Sequence, residues 1–157
     1  MLAKRVVLDT NVCLDLFVFH DPRWARMLAA LKEGSIEAVT RDDCRTEWRI
    51  VLDYPHLRLD AVGKLQSASE FDALITCLPT LVPSGALVRL PLCSDPDDQK
   101  FLELARDACA AALITKDKAL LKLARKTAVA GLFSIIRPEA WITSDGAGIA
   151  RIGAIES

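Results

Sequence analysis

The sequence predicts an α/β fold in which helices cover both faces of one mainly parallel sheet. Two observations carry this prediction. Short apolar runs that end in polar residues, such as Val6 to Leu8 followed by Asp9, are typical of buried strands in a parallel sheet. Segments with helical periodicity and clear start signals alternate with those runs. At 157 residues, the chain is expected to form one domain.

Start signals and apolar stripes mark the helices of the first half of the chain. Asp21 is an N-cap residue followed by a proline at the first helical position, and Gly34 ends the helix that begins there. Asp42 and Asp60 can cap the next two helices, each of which ends at a proline. The predicted elements are a strand at 5–8, helices at 12–19 and 21–34, a strand at 36–39, and helices at 42–54 and 60–79.

The second half of the chain repeats the same signals. Asp95 followed by Pro96 starts a helix, and Asp117 can cap another directly after a strand. Small residues and glycines from Thr143 onward favour a loosely held tail. We therefore expect one domain over residues 1–142 and a tail over residues 143–157. The predicted elements are strands at 86–90, 112–115 and 132–136, helices from 95 and from 117, and a short helix or turn at 138–141.

The composition excludes several classes of protein. A net charge of −1 gives no global basic excess, so any binding of nucleic acid must come from a local patch. The five cysteines lack the spacing of a zinc finger or a disulfide framework, and two histidines leave few ways to build a zinc site. We expect reduced thiols in a cytoplasmic protein. The apolar run from Ala108 to Ile114 is too short to span a bilayer.

Four acidic residues are candidates for chemistry. Asp9 and Asp117 directly follow predicted strands, and each can alternatively be a plain N-cap. Glu47 borders the apolar stripe of its helix and is alternatively a solvated charge. Asp98 lies on the buried stripe of its helix, where a carboxylate is costly unless it is paired. Alternatively, Asp98 is one of three acids that the helix dipole stabilises in the first turn.

These four carboxylates can meet at one edge of the sheet. The carboxyl ends of neighbouring parallel strands lie together, and ligands bind there in open α/β sheets. Mg²⁺ and Mn²⁺ prefer carboxylate oxygens, and a pair of such ions can activate a water and stabilise the leaving oxygen of a phosphodiester. Without a cation the carboxylates repel each other, so we expect at least one of them to have a raised pKa.

Four segments resemble, in order, the motifs of the PIN-domain nucleases, and within them the short bacterial type that acts as the toxin of a toxin–antitoxin system. Each motif is short by itself, but four in order at compatible spacing are specific. The resemblance covers the chain from Val6 to about Ile142. The segments are Val-Leu-Asp-Thr-Asn at 7–11, Thr-Glu-Trp at 46–48 with Val-Leu at 51–52, the acidic helix start at 95–105, and Ile-Thr-Lys-Asp at 114–117 with the residues to 121.

The resemblance implies a three-layer α/β/α sandwich with a central, mainly parallel sheet. It also implies an endoribonuclease that cleaves single-stranded RNA and depends on Mg²⁺ or Mn²⁺, by two-metal-type phosphodiester hydrolysis. A homodimer and a small antitoxin protein that blocks the site are further implications. The residues expected to hold the metal and carry catalysis, directly or through water, are Asp9, Glu47, Asp98 and Asp117, with Asn11 and Thr115 orienting carboxylates or waters.

Basic residues beside the acids are candidates for contact with RNA. Arg45 precedes Glu47 by two residues, and Lys116 and Lys118 flank the last acid, so they could supply a local basic rim. Each is alternatively part of a solvated helix face. Lys116 stands where the family commonly has a small residue, which places a bulky cation beside the metal site.

Two other functions fit parts of this pattern. An aspartyl-phosphate phosphatase also has a strand that ends in an acid, but its chemistry wants a second acid where this chain has Asn11. A degenerate family member that only binds RNA or a protein is the second alternative. The presence of all four acids argues against that alternative.

Overall fold

The computed structural model describes residues 4–79 and 88–146. Within these ranges, five strands form one sheet, and every pairing between them is parallel. The strands are β1 (Lys4–Leu8), β2 (Ile36–Thr40), β3 (Ile75–Cys77), β4 (Ala112–Ile114) and β5 (Ser134–Ile136). Their spatial order is β3-β2-β1-β4-β5, so that β1 is the central strand.

Helices connect successive strands and cover both faces of the sheet. They are α1 (Thr10–Phe17), α2 (Ala25–Glu33), α3 (Asp42–Leu52), α4 (Ala61–Leu74), α5 (Gln99–Asp107), α6 (Lys118–Leu121), α7 (Ala124–Val129) and α8 (Pro138–Gly146). Short 3₁₀ turns at Pro22–Trp24, Pro55–Leu57 and Pro96–Asp98 lead into or follow these helices. Within the described ranges, none of the helices has both the length and the hydropathy required to cross a membrane.

Two hydrophobic cores lie on opposite faces of the sheet. Side chains of β1 alternate between them, because Val6 and Leu8 belong to one core and Val7 to the other. The first core contains α1 to α4 and an aromatic cluster in which the rings of Trp48 and Phe71 stack with centroids 5.1 Å apart. The second core contains α5 and α6. This arrangement confirms the predicted three-layer α/β/α sandwich, with a sheet that is parallel at every described pairing.

The central strand pair determines where polar residues emerge from the sheet. Leu8 of β1 lies opposite Ile114 of β4, and the Asp9 N–H donates to the Ile114 carbonyl at 3.0 Å. The residues that directly follow these two strands, Asp9 and Thr115, therefore leave the sheet side by side at its carboxyl edge.

The predicted helix over 60–79 is wrong at its end. Asp60 caps the helix as predicted, accepting from the Gly63 N–H at 2.7 Å, but α4 ends at Leu74. Ile75–Cys77 then forms β3, which pairs with β2. The apolar residues of this segment also fit a helical stripe, so their spacing does not distinguish a helix from a strand. The segment forms a strand because the edge of β2 is available to pair with it.

Three smaller predictions also differ from the structure. Residues 88–90 of the predicted strand at 86–90 are not in a strand, and residues 86 and 87 lie outside the described residues. Asp42 lies in the first turn of α3, whose N-cap is Arg41. The helix predicted from Asp117 is two helices, α6 and α7. The domain boundary at 142 stays a prediction; α8 continues to Gly146, and the rest of the predicted tail lies outside the described residues.

Candidate metal-binding active site

Asp9 is a nearly buried carboxylate at the carboxyl edge of the sheet. It ends β1 and is the N-cap of α1, with its Oδ1 accepting from the Asn11 N–H at 3.3 Å. Only 4% of Asp9 is exposed. Burial raises its pKa, the hydrogen bonds from Thr115 and Asn11 lower it, and the charges of Asp117 and Glu47 raise it further. Asp9 therefore lies close enough to both acids to feel their charges.

Thr115 connects Asp9 to the loop after β4. Its hydroxyl is buried, donates to Asp9 Oδ2 at 2.5 Å and accepts from the Asp117 N–H at 2.9 Å. The contact places Thr115 against Asp9, and the orienting role expected for Thr115 stays a prediction. Asn11 differs, because its backbone N–H contacts Asp9 while the residue itself is exposed.

Three aspartates form a compact cluster beside Asp9. Oxygens of Asp95, Asp98 and Asp117 all lie within 4.8 Å of one another. Asp95 caps the 3₁₀ turn before α5 by accepting from the Asp97 N–H at 3.0 Å. Asp117 caps α6 by accepting from the Ala119 N–H at 2.7 Å. The capping alternative is thus real for both residues, and each one also presents a carboxylate to the cluster.

The aspartates of the cluster shift one another's pKa values in opposite directions. Burial and the neighbouring Asp117 carboxylate raise the pKa of Asp98 to about 8, and the charges of Asp9 and Asp95 act in the same direction. The same contact lowers the pKa of Asp117. The expectation that at least one acid has a raised pKa is confirmed at Asp98 and at Asp9.

Glu47 lies outside the aspartate cluster. Its Oε2 accepts from the Thr10 hydroxyl, and its Oε1 is 2.8 Å from Lys100 Nζ. Its link to the other acids is electrostatic, through Asp9. The structure therefore brings Asp98 and Asp117 into direct proximity, places Asp9 close enough to feel their charges, and holds Glu47 outside the aspartate cluster through two other side chains.

Sequence reasoning missed Asp95, Thr10 and Lys100 as parts of this region. Asp95 could have been found, because it lies three residues before Asp98 and so falls on the same side of a helical turn. Thr10 lies 37 positions and Lys100 lies 53 positions from Glu47 in the chain, so local sequence patterns do not predict their contacts with it.

The predicted basic rim is largely engaged in ion pairs. Arg45 lies 3.2 Å from Asp72, and Lys116 lies 2.6 Å from the buried Asp15. Lys118 is exposed and forms no ion pair with the part of the chain that the structure describes. Of the three residues, Lys118 is thus the one whose ammonium is available to a ligand.

The donor set fits a hard divalent cation. All cluster donors are carboxylate oxygens, the ligand type that Mg²⁺ and Mn²⁺ prefer. In addition, Asp98 Oδ2 is buried and has no hydrogen-bond partner in the described residues. A buried oxygen without a partner costs free energy that a ligand would recover. Asp9, Asp95, Asp98 and Asp117 are the residues that could hold such an ion.

Comparison with known protein families supports this geometry. The model of a family described as PIN domain matches residues 5–119, a span that contains all four predicted acids and Asp95. PIN domains are generally nucleases and typically use divalent metals. A comparison with curated proteins found no match to the chain.

Proposed function

This chain belongs to the PIN-domain family, and we propose that it is a metal-dependent endoribonuclease that cleaves single-stranded RNA. One observation carries the proposal: oxygens of Asp95, Asp98 and Asp117 lie within 4.8 Å of one another, beside the buried Asp9. Mutually repelling carboxylates at the carboxyl edge of a parallel sheet are expected where a cation is to be bound.

The contacts of each residue suggest whether it would bind the metal or orient another ligand. Asp98 and Asp117 would bind Mg²⁺ or Mn²⁺ together with Asp9, and Asp95 would contribute the oxygen that it presents to the cluster. Such an ion, when bound, supplies Lewis-acid activation of water and stabilises charge on a phosphodiester. Thr115 would orient Asp9 through its 2.5 Å hydrogen bond, and Asp98 would hold the cation in its ionised form.

Cleavage of single-stranded RNA by the purified protein tests this function. The protein should cut RNA with Mg²⁺ or Mn²⁺, and a chelator should stop the reaction. Asp9→Asn keeps the shape of the side chain but removes its charge, so we expect the cleavage rate to fall by more than about 100-fold, since ion binding contributes several kcal/mol to such reactions. The fold should persist, as circular dichroism would show.

Asp53→Asn is the matched control. Asp53 is an exposed carboxylate that pairs with Lys64 at 3.1 Å, so the same substitution there should leave cleavage unchanged. Undiminished cleavage by Asp9→Asn, or in excess chelator, would overturn the metal-dependent mechanism.

We further propose that the protein is the toxin of a toxin–antitoxin pair, acts in the cytoplasm as a homodimer, and is blocked by a small antitoxin protein. Among the described residues, six apolar side chains are more than half exposed and could contribute to contacts with protein partners: Phe19, Ile50, Val62, Leu65, Leu92 and Val129. Expression of the chain should arrest growth, and co-expression of a small neighbouring open reading frame should restore it. Light scattering of the purified protein tests the dimer.

A further inference from the structure

Glu47 is held at both of its oxygens by residues from two other elements. Thr10, the first residue of α1, donates to Oε2, and Lys100 in the first turn of α5 contacts Oε1 at 2.8 Å. With both oxygens engaged, the carboxylate has one defined orientation. A free glutamate on a helix surface would sample several rotamers.

Lys100 is itself anchored, so the contact does not depend on a freely rotating side chain. Its ammonium also donates to the Asp97 carbonyl and lies 5.2 Å from the centre of the Phe101 ring. Only 17% of the side chain is exposed. Because Lys100 follows Asp98 by two residues, it connects Glu47 directly to the helix start that carries the aspartate cluster.

The Lys100 ammonium also partly neutralises the negative charge of the acidic residues around the aspartate cluster. Asp9, Glu47, Asp95, Asp98 and Asp117 place five carboxyl groups in this region, and Lys100 is a cation in direct contact with one of them. An ion pair that is largely out of solvent is screened less than a surface pair, so its charge is felt by the neighbouring acids.

We propose that Lys100 is a positioning residue, which holds Glu47 beside Asp9 and outside the aspartate cluster. This inference rests on the proposed function and refines it. The aspartates bind the divalent cation, and Lys100 determines where the Glu47 carboxylate lies relative to them. Removing the ammonium would leave the Glu47 carboxylate uncompensated and free to change its orientation. The cation should then bind more tightly, while the reaction slows because Glu47 is displaced.

Mn²⁺ binding without RNA and RNA cleavage at saturating Mn²⁺ test the proposal on the full chain. Lys100→Met retains most of the aliphatic length and removes the charge. We expect its Kd for Mn²⁺, measured by calorimetry, to fall about tenfold, because one positive charge near the site is lost. Its kcat should fall by about tenfold or more, as is typical when a supporting contact is removed. Lys100→Arg should restore both quantities to within about threefold of the wild type, because it keeps the cation.

A double-mutant cycle with Glu47→Gln separates positioning from a direct role. If Lys100 acts through Glu47, Lys100→Met should change kcat by less than about twofold in the Glu47→Gln background. Lys64→Met is the matched control, since Lys64 pairs with Asp53 rather than with a site residue, and it should leave the Kd for Mn²⁺ unchanged. Should Lys100→Met fail to fold, Lys100→Gln replaces it in the same cycle.

The outcomes that overturn the proposal are distinct from failure of the proposed function. A wild-type protein that binds Mn²⁺, together with Lys100→Met that alters neither Kd nor kcat, overturns the positioning role alone. Equal losses of kcat in both backgrounds also overturn it, because Lys100 would then contact RNA phosphate independently of Glu47. A wild-type protein that binds no Mn²⁺ overturns the proposed function and the inference with it.

Discussion

At Asp98, burial and the neighbouring carboxylates both raise the pKa of the carboxyl group. The unfolded chain leaves this carboxyl near its ordinary pKa of 3.8, whereas the folded protein raises the pKa to about 8. The folded state therefore binds the proton more tightly than the unfolded state does. The stability associated with Asp98 is fully present below about pH 4 and is lost as the pH rises toward 8.

Asp98→Asn should consequently stabilise the protein at high pH when no metal is present. The amide stays neutral at every pH, so the variant avoids the cost of an ionised carboxylate in the cluster. We expect the two proteins to melt alike near pH 4 and the variant to melt at least about 2 °C higher at pH 8, since 1 kcal/mol corresponds to about 2–4 °C for a domain of this size. Thermal melts across this pH range measure the difference.

The same melts with millimolar Mn²⁺ provide the complementary test of Asp98. Metal that binds only the native state adds about 2.7 kcal/mol of stability at one hundred times its Kd, so the melting temperature of the parent should rise. Asp98→Asn should lose most of that rise. A parent melting temperature indifferent to Mn²⁺ would mean that these carboxylates do not bind the ion.

At the level of elements, the contact between the carboxyl ends of β1 and β4, called the β1–β4 joint below, positions the site residues. The backbone hydrogen bond from Asp9 to Ile114 aligns the two strand ends, and the Thr115 hydroxyl then bridges Asp9 and the first residue beyond the loop, Asp117. Two acids from strands that are more than 100 residues apart in sequence thus share one buried hydroxyl. The backbone pairing of the two strands and this hydroxyl together set their relative position.

Thr115→Val should separate stability from function at this joint. Valine keeps the shape but removes the hydroxyl, which leaves Asp9 Oδ2 and the Asp117 N–H without that partner and costs about 1–3 kcal/mol. The hydrogen bond from Thr115 lowers the pKa of Asp9, so its loss should raise that pKa and shift the acidic limb of the cleavage–pH profile to higher pH. Thermal melts and the pH profile measure the two effects.

Two variants control for the loss of a buried hydroxyl. Thr115→Ser retains the hydroxyl and should keep the wild-type pH profile. Thr127→Val removes a buried hydroxyl that donates to the Ala124 carbonyl at 3.1 Å within α7, so it should lower the melting temperature without moving the profile. A wild-type pH profile for Thr115→Val would contradict the role assigned to this joint.

For the whole molecule, charge distribution matters more than net charge. The chain carries a net charge of −1, and acids concentrate at the carboxyl edge of the sheet, so binding of the proposed RNA substrate there would require local cations. Arg45 and Lys116 are engaged with Asp72 and Asp15. Lys118, exposed beside Asp117, is the better candidate for a phosphate contact.

Lys118→Glu should therefore weaken RNA binding and flatten its dependence on salt. Each lost phosphate contact reduces the slope of log K against log salt by roughly 0.7 for a single strand. Lys32→Glu is the matched control, because α2 ends just before β2 begins and Lys32 thus lies toward the opposite edge of the sheet. RNA affinity measured at several salt concentrations distinguishes the two. An unchanged slope for Lys118→Glu would show that RNA approaches from another side.

The sequence by itself determined the features that arise from local patterns. β1 and β4, the N-caps at Asp60 and Asp117, and the left-handed helix end at Gly34 all follow from periodicity and capping within a few residues. Because parallel strands present their carboxyl ends on one edge, the sequence also predicted that Asp9 and Asp117 lie at the same edge of the sheet; the structure showed that β1 and β4 are neighbours there. These features need no knowledge of distant contacts.

Only the tertiary structure decided which distant groups meet. Ile75–Cys77 is a strand because β2 offers it an edge, and Lys100 holds Glu47 because α3 and α5 bring them together across 53 residues. Asp95 joins the site because a 3₁₀ turn places its carboxylate against Asp117. Such contacts depend on how helices and strands pack in three dimensions, and local sequence patterns carry no information on the pairing of side chains so far apart in the chain.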